Sequence, residues 1–225
     1  MIKAVFIDFY GTLVHEDGEI IKNITKRIAA GRNISPAEIG LYWWNVFEKL
    51  FTSSFGENFK TQRFLEKLSL EKTLDYFNSE ESAEALSSMM YEHWGKSPLF
   101  PESREFLSRC PHPVYIVSNI DARDLKAATA FHGLHVTGAV TSEDAHAYKP
   151  RSELFRCALE AADVEPFEAI HIGDSLTGDI IGAQTSGIEA VWLNRGKKKT
   201  PENVKYSVEN LTDFFNLNIT GEVFK

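Results

Sequence analysis

A chain of 225 residues is long enough for one substantial core, or for a core with a small second lobe. Its formal net charge of −8 argues against a nucleic-acid partner, so an anionic ligand would need a local binding site. No apolar run approaches the roughly 20 residues that span a bilayer, and no basic-then-apolar secretory signal opens the chain, so the expectation is a cytoplasmic protein without a membrane partner.

The first predicted element is a buried strand over residues 3–7, rich in branched and aromatic side chains. It stops at Asp8, and Tyr10, Gly11 and Thr12 follow. From about residue 15 to about 97 the pattern changes to helices with no convincing strand. Ser35-Pro36-Ala37-Glu38 combines an N-cap, a proline at the first helical position and a capping-box glutamate. Ile39, Tyr42, Trp43, Val46, Phe47 and Leu50 follow at helical spacing, and the Trp43-Trp44 pair reads as helix packing. Residues 62–77 and 80–94 read as two further helices, the second with a cap at Asn78 or Ser79, and Gly95 ends the segment.

Strands then alternate with helices. Residues 113–117 form a second strand that ends at Ser118-Asn119. Residues 136–140 form a weaker third, interrupted by Gly138. Residues 168–172 form a fourth that ends at Gly173-Asp174, and 188–193 a fifth. Helices are predicted over 122–131, 152–162 and 179–186. This alternation predicts βαβ units: an α/β fold with a Rossmann-like parallel sheet core flanked by helices and an inserted all-helical cap. The expected division is a core of residues 1–14 and 98–225 with a cap of residues 15–97. Cys110 and Cys157 show no metal-binding spacing and read as reduced thiols.

In such sheets a ligand lies outside the carboxyl ends of the strands. Asp8, Ser118, Asn119 and Asp174 should therefore converge there. Lys149, in Ala147-Tyr148-Lys149-Pro150, lies between a candidate strand and a proline-started helix and can serve the same edge as a point charge. Asp174 and Asp179 straddle a glycine-containing loop before a helix. With Asp8 they offer oxygen ligands suited to Mg²⁺. A helix-capping role for either loop acid is the plainer alternative.

Together DFYGT, VSN, YKP and GDSLTGD resemble, in order and spacing, the four motifs of the haloacid dehalogenase-like superfamily, with the helical segment where that superfamily carries a C1-type cap. The resemblance implies that Asp8 is a nucleophile forming a covalent ester that water then hydrolyses. It implies that Ser118, Asn119 and Lys149 bind the transferring group, Lys149 also offsetting its charge as a catalytic residue. It implies a Mg²⁺ site from Asp8, the Tyr10 carbonyl and Asp174, with Asp179 supporting it or binding through water.

Position 10 departs from the family's phosphatases, which carry a second aspartate there as acid and base. A phenol, with a reference pKa of about 10 against about 3.9 for aspartate, is a poor base at neutral pH. The superfamily's 2-haloacid dehalogenases also carry tyrosine here, but they lack the GDxxxxD metal pair. The expectation is a hydrolase: a Mg²⁺-dependent phosphatase of a small, anionic, phosphorylated metabolite, acting through an aspartyl-phosphate with Tyr10 in place of the usual acid/base. The alternatives are a dehalogenase using Asp8 and a weakly active or binding-only protein. Arg27, Arg32 and Arg63 are the cap's candidates for a carboxylate clamp, each also readable as a surface residue. Nothing in the sequence sets an oligomeric state.

Overall fold

The computed structural model describes residues 1–219 and the backbone of 222–223; residues 220–221 and 224–225, at the end of the expected core segment, lie outside the described residues. Six parallel strands form one sheet in the order β3-β2-β1-β4-β5-β6. They are β1 (Ala4–Ile7), β2 (Val114–Ser118), β3 (Gly138–Thr141), β4 (Ala169–Gly173), β5 (Glu189–Leu193) and β6 (Tyr206–Val208). Five correspond to predicted strands. The sixth is only three residues long, too short for a periodic signal.

The central strand explains the fold's interior. Val5 and Ile7 join one apolar cluster while Ala4 and Phe6 join another, so β1 is buried on both faces. Ile7 pairs with Ile116 on one side and Ile172 on the other. This register brings Asp8 level with Val117 and Gly173, where the strand order switches direction. Crevices form at such switch points. At Gly138, predicted to weaken β3, an added Cβ would come 2.7 Å from the Tyr115 ring. Its missing side chain therefore permits close packing, and the strand forms from Gly138 to Thr141.

Between β1 and β2, four α-helices form the segment that was expected to be all helical: α1 (Gly18–Ala29), α2 (Pro36–Ser53), α3 (Gln62–Tyr76) and α4 (Ala83–Trp94). Ser35 caps α2 by accepting from Glu38 N–H at 3.1 Å. The cap of α4 is Ser82 and not Asn78 or Ser79. Asn78 instead adopts φ 51° and Ser79 N–H donates to Leu74 O, which closes the end of α3. Ile24, Trp43, Leu74 and Trp94 continue the apolar cluster of the sheet into the bundle. No helix among the described residues is long and apolar enough to cross a membrane.

The sheet's helices are α5 (Ser103–Arg109), α6 (Ala122–His132), α7 (Ser142–Ala145), α8 (Ser152–Ala162) and α9 (Gly182–Thr185). The predicted 179–186 helix is instead a wide π-helical turn over Leu176–Ile181 followed by the short α9. Asp179 N–H and Ile180 N–H both donate to Ser175 O, at 2.9 and 3.2 Å. The wide turn leaves Asp179 buried beneath the sheet's active edge.

Candidate active site

Lys149 is the centre of the site. Its ammonium, 5% exposed, donates to Asp8 Oδ1 at 2.6 Å, Asp179 Oδ1 at 2.5 Å and the Val117 carbonyl at 3.0 Å. Asn119 Oδ1 accepts from Lys149 N–H at 2.7 Å, so this side chain positions the lysine's backbone. Ser118 is buried at the end of β2 and lines the same cavity of about 190 Å³, together with Asp8, Tyr10, Asn119 and Asp174.

Asp8, Asp174 and Asp179 bring carboxylate oxygens within 4.8 Å of one another. Asp174 Oδ1 accepts from the Thr12 hydroxyl at 3.2 Å. Gly11, at φ 85°, lets the turn pass this carboxylate: an added Cβ would lie 2.6 Å from it. Asp179 Oδ1 accepts from Lys149 and from His171 Nε2 at 2.9 Å, while its Oδ2 accepts from Ser175 N–H at 3.0 Å.

The electrostatics follow from one buried ammonium facing three carboxyl groups. Burial opposes the Lys149 charge, but Asp179 and Asp8 outweigh it and hold the group above its ordinary value. Burial also opposes ionisation of Asp179, yet Lys149 and His171 hold it well below the carboxylate range. Asp8 is pushed up to about 6 by burial and the Asp179 charge, against the pull of Lys149. Asp174, without an ammonium in direct contact, is pushed up to about 8 by burial and then by Asp8 and Asp179. This oxygen-only, charge-surplus donor set fits a hard divalent cation.

Tyr10 is placed differently from the other candidates. Its hydroxyl donates to the Trp94 carbonyl at 2.6 Å, at the end of α4. Burial, followed by the charges of Asp17, Asp124 and Asp8, raises the phenol well above its ordinary value. The group is therefore a neutral donor joining core and helical segment.

Other joints cross the same boundary. Asp121 accepts from Gln62 and Arg63 N–H at 2.7 and 3.0 Å, and Tyr148 OH donates to Lys60 O at 2.7 Å. The candidate arginine clamp is committed elsewhere. Arg27 pairs with Glu81, Arg32 donates to the Phe77 and Asn78 carbonyls, and Arg63 pairs with Asp124.

The sequence reading missed the roles of His171 and Thr12. His171 is fully buried in β4, and burial lowers its pKa, so the neutral ring donates Nε2–H to Asp179. A polar residue in a strand buried on both faces was the available signal, because such a group needs a partner. Thr12 carried no comparable signal.

Against known families, the haloacid dehalogenase-like hydrolase profile matches residues 2–187. The chain belongs to that family. A phosphoserine phosphatase from Thermus thermophilus is 29% identical over 145 residues, 62% of this chain and 58% of that protein. A glyceraldehyde 3-phosphate phosphatase from Pyrococcus furiosus is 47% identical over 49 residues, 22% of this chain and 20% of that one. The chain thus spans less than two thirds of either relative. Among solved structures, the L-2-haloacid dehalogenase from Xanthobacter autotrophicus superposes with a TM-score of 0.75 at 19% identity, covering 95% and 96% of the two chains. A putative HAD hydrolase from Bacillus subtilis bound to magnesium gives 0.75 at 19%, covering 96% and 97%. These likenesses establish the haloacid dehalogenase-like fold with an inserted helical cap.

Proposed function

We propose that this hydrolase is a Mg²⁺-dependent phosphatase of a small phosphorylated metabolite, with residues 15–97 as cap over a core of 1–14 and 98–225. The observation that carries the reading is the cluster of three carboxyl groups at the switch point, Asp8 and Asp179 buried and Asp174 half-buried, with their oxygens within 4.8 Å of one another. Asp8, the Tyr10 carbonyl and Asp174 would hold the cation. Asp179, with both oxygens engaged by Lys149, His171 and Ser175, acts as a support or through water. When bound, Mg²⁺ would screen repulsion between nucleophile and phosphate and orient them.

In this reading an Asp8 oxygen attacks phosphorus, the bond from phosphorus to the leaving oxygen breaks, and an aspartyl-phosphate forms. Lys149, Ser118 and the turn after Asp8 hold the phosphoryl oxygens. Water then attacks phosphorus, releasing phosphate and restoring Asp8. Tyr10 keeps its proton on the Trp94 carbonyl, so the chemistry favours substrates whose leaving oxygen departs with little help. That same commitment favours the second reading, a dehalogenase whose leaving halide needs no proton.

The deciding measurement is release of phosphate from p-nitrophenyl phosphate, with Mg²⁺ and with EDTA, beside halide release from a 2-haloacid. We expect phosphate release that EDTA abolishes. EDTA-indifferent halide release would assign the dehalogenase reading, and failure on both would assign the binding-only one.

A further inference from the structure

The carboxyl end of β5, which carries none of the four motifs, also reaches the reaction centre. Arg195 lies just beyond that strand, with its side chain 23% exposed. Its Nη2 donates to the Thr12 carbonyl at 2.8 Å, its Nε approaches the Gly11 carbonyl at 3.4 Å, and its Nη1 pairs with Glu102 Oε1. Its Cζ lies over the Phe100 ring, 3.5 Å from the centroid. The loop that carries Arg195 is itself closed by Asn194, whose side chain accepts from Lys198 N–H at 2.9 Å and donates to Lys198 O at 2.7 Å. Phe100 and Glu102 stand where the chain returns from the cap, and Phe100 N–H donates to Leu13 O at 3.1 Å. All three guanidinium nitrogens are thus engaged within the protein, and Glu102 offsets the charge. This is a brace and not a free anion-binding cation.

The brace holds the turn after Asp8, and that turn carries groups of the proposed cation site. Tyr10, with its carbonyl, directly precedes Gly11. The Thr12 hydroxyl donates to Asp174 Oδ1 at 3.2 Å, and the Asp174 main-chain carbonyl accepts from Trp192 Nε1, on β5, at 2.9 Å. Peptide units are planar and trans, so turning the Gly11 carbonyl to Arg195 fixes the Thr12 N–H in the opposite direction. A rigid guanidinium fork can hold two successive carbonyls and a carboxylate together; an ammonium on a flexible stem cannot reproduce that geometry.

We propose that Arg195 is a positioning residue of the reaction centre: it fixes the Gly11 and Thr12 peptide groups and, through the Thr12 hydroxyl, sets the Asp174 carboxyl group for a divalent cation. This rests on the Mg²⁺ reading of the core site. Arg195 touches no reacting atom. It acts as an outer partner of the residues that would hold the ion, and such partners set ligand orientation and hence affinity.

The test titrates MgCl₂ by calorimetry, without substrate, into the wild-type protein, Arg195→Lys, Arg195→Met, Thr12→Val and the double variant Thr12→Val with Arg195→Lys. Melting temperatures in EDTA are recorded for the same set. Both Arg195 variants should bind Mg²⁺ about tenfold to a hundredfold more weakly than the wild type. Thr12→Val should weaken binding too. The double variant should lose less than the product of the two single losses, because both substitutions act along one chain of contacts. Wild-type affinity in both Arg195 variants overturns the proposal. A lower melting temperature with unchanged Mg²⁺ affinity also overturns it, because a purely structural brace gives that result. Losses that multiply in the double variant overturn the route through Thr12. Arg195→Lys keeps an apolar stem over Phe100 and a cation beside Glu102, so the result does not hang on Arg195→Met folding. A wild type that binds no Mg²⁺ overturns the metal reading and the proposal with it, whereas wild-type binding with unaffected variants overturns the proposal alone.

Discussion

The sheet edge and the cavity among the four cap helices, lined by Asp17 and Glu66, both bury carboxyl groups, but they treat them differently. At the edge, Asp8 and Asp179 share one ammonium, and His171 and Ser175 complete the set around Asp179. In the cap, Glu66 Oε1 receives no donor and Asp17 is only half satisfied. A network paired within the protein is pre-organised for reaction, because its groups need no rearrangement when charge develops. A buried acceptor left without a partner is a cost that a ligand can remove.

The largest effect should come from breaking the paired side. Lys149→Met leaves Asp8 and Asp179 facing each other without their cation. Removing one partner of a buried pair costs roughly 3–5 kcal/mol, or roughly 6–20 °C in melting temperature for a chain of this size. Thermal melts in EDTA check this, and p-nitrophenyl phosphate turnover should fall by roughly a hundredfold or more. A variant that melted and turned over like the wild type would show that the edge does not depend on its ammonium.

An intermediate effect should separate the regions by pH. Asp174 and Glu66 are both raised to about 8 from ordinary values of 3.8 and 4.5. Between those limits the native chain retains protons that the unfolded chain has released, so these groups lower stability as pH rises. In EDTA the melting temperature should therefore drop from pH 6 to pH 8.5 through their contribution. Mg²⁺ should recover the part due to Asp174 and leave the part due to Glu66; Asp174→Asn should lose the Mg²⁺ response. Flat melts over that range, or a Mg²⁺ response retained in Asp174→Asn, would contradict the assignment.

The smallest effect concerns the joint between the regions. Tyr10→Phe removes the bond to the Trp94 carbonyl and should cost about 1 kcal/mol, or about 2–4 °C. Its kcat on propyl phosphate should change by less than about threefold, whereas loss of a true general acid costs roughly 10²–10⁴-fold. A loss of that second size would restore Tyr10 as the proton donor.

Much of the edge was legible in the chain because a parallel sheet makes a local pattern into a global address. A short apolar run ending in Asp8, Ser118 or Asp174 already says which end of which strand the group occupies. His171 was hidden for a related reason: its place inside such a run reveals burial but not its partner. Asp179 was legible as a candidate, but the wide turn that buries it was not, since a shift from four- to five-residue hydrogen bonding leaves no mark in hydrophobic period. The cap was legible as helices, and its ligand chemistry was not. Trp43 reads as packing, and indeed it is buried with its indole donating to Ser69 at 2.9 Å, yet its ring also walls the cavity.

The sequence by itself determined the order of strands and helices, the insertion after β1 and the motif residues that resemble the family, because these depend on period, turn chemistry and local residue type. Only the tertiary structure decided that the Tyr10 hydroxyl donates a hydrogen bond to the Trp94 carbonyl, that Asp179 grips Lys149, and that Glu66 faces an aromatic cavity without a donor. Each of those facts joins residues from separate elements. Hydrogen bonding and desolvation depend on distance and surroundings in space, which spacing along the chain does not encode.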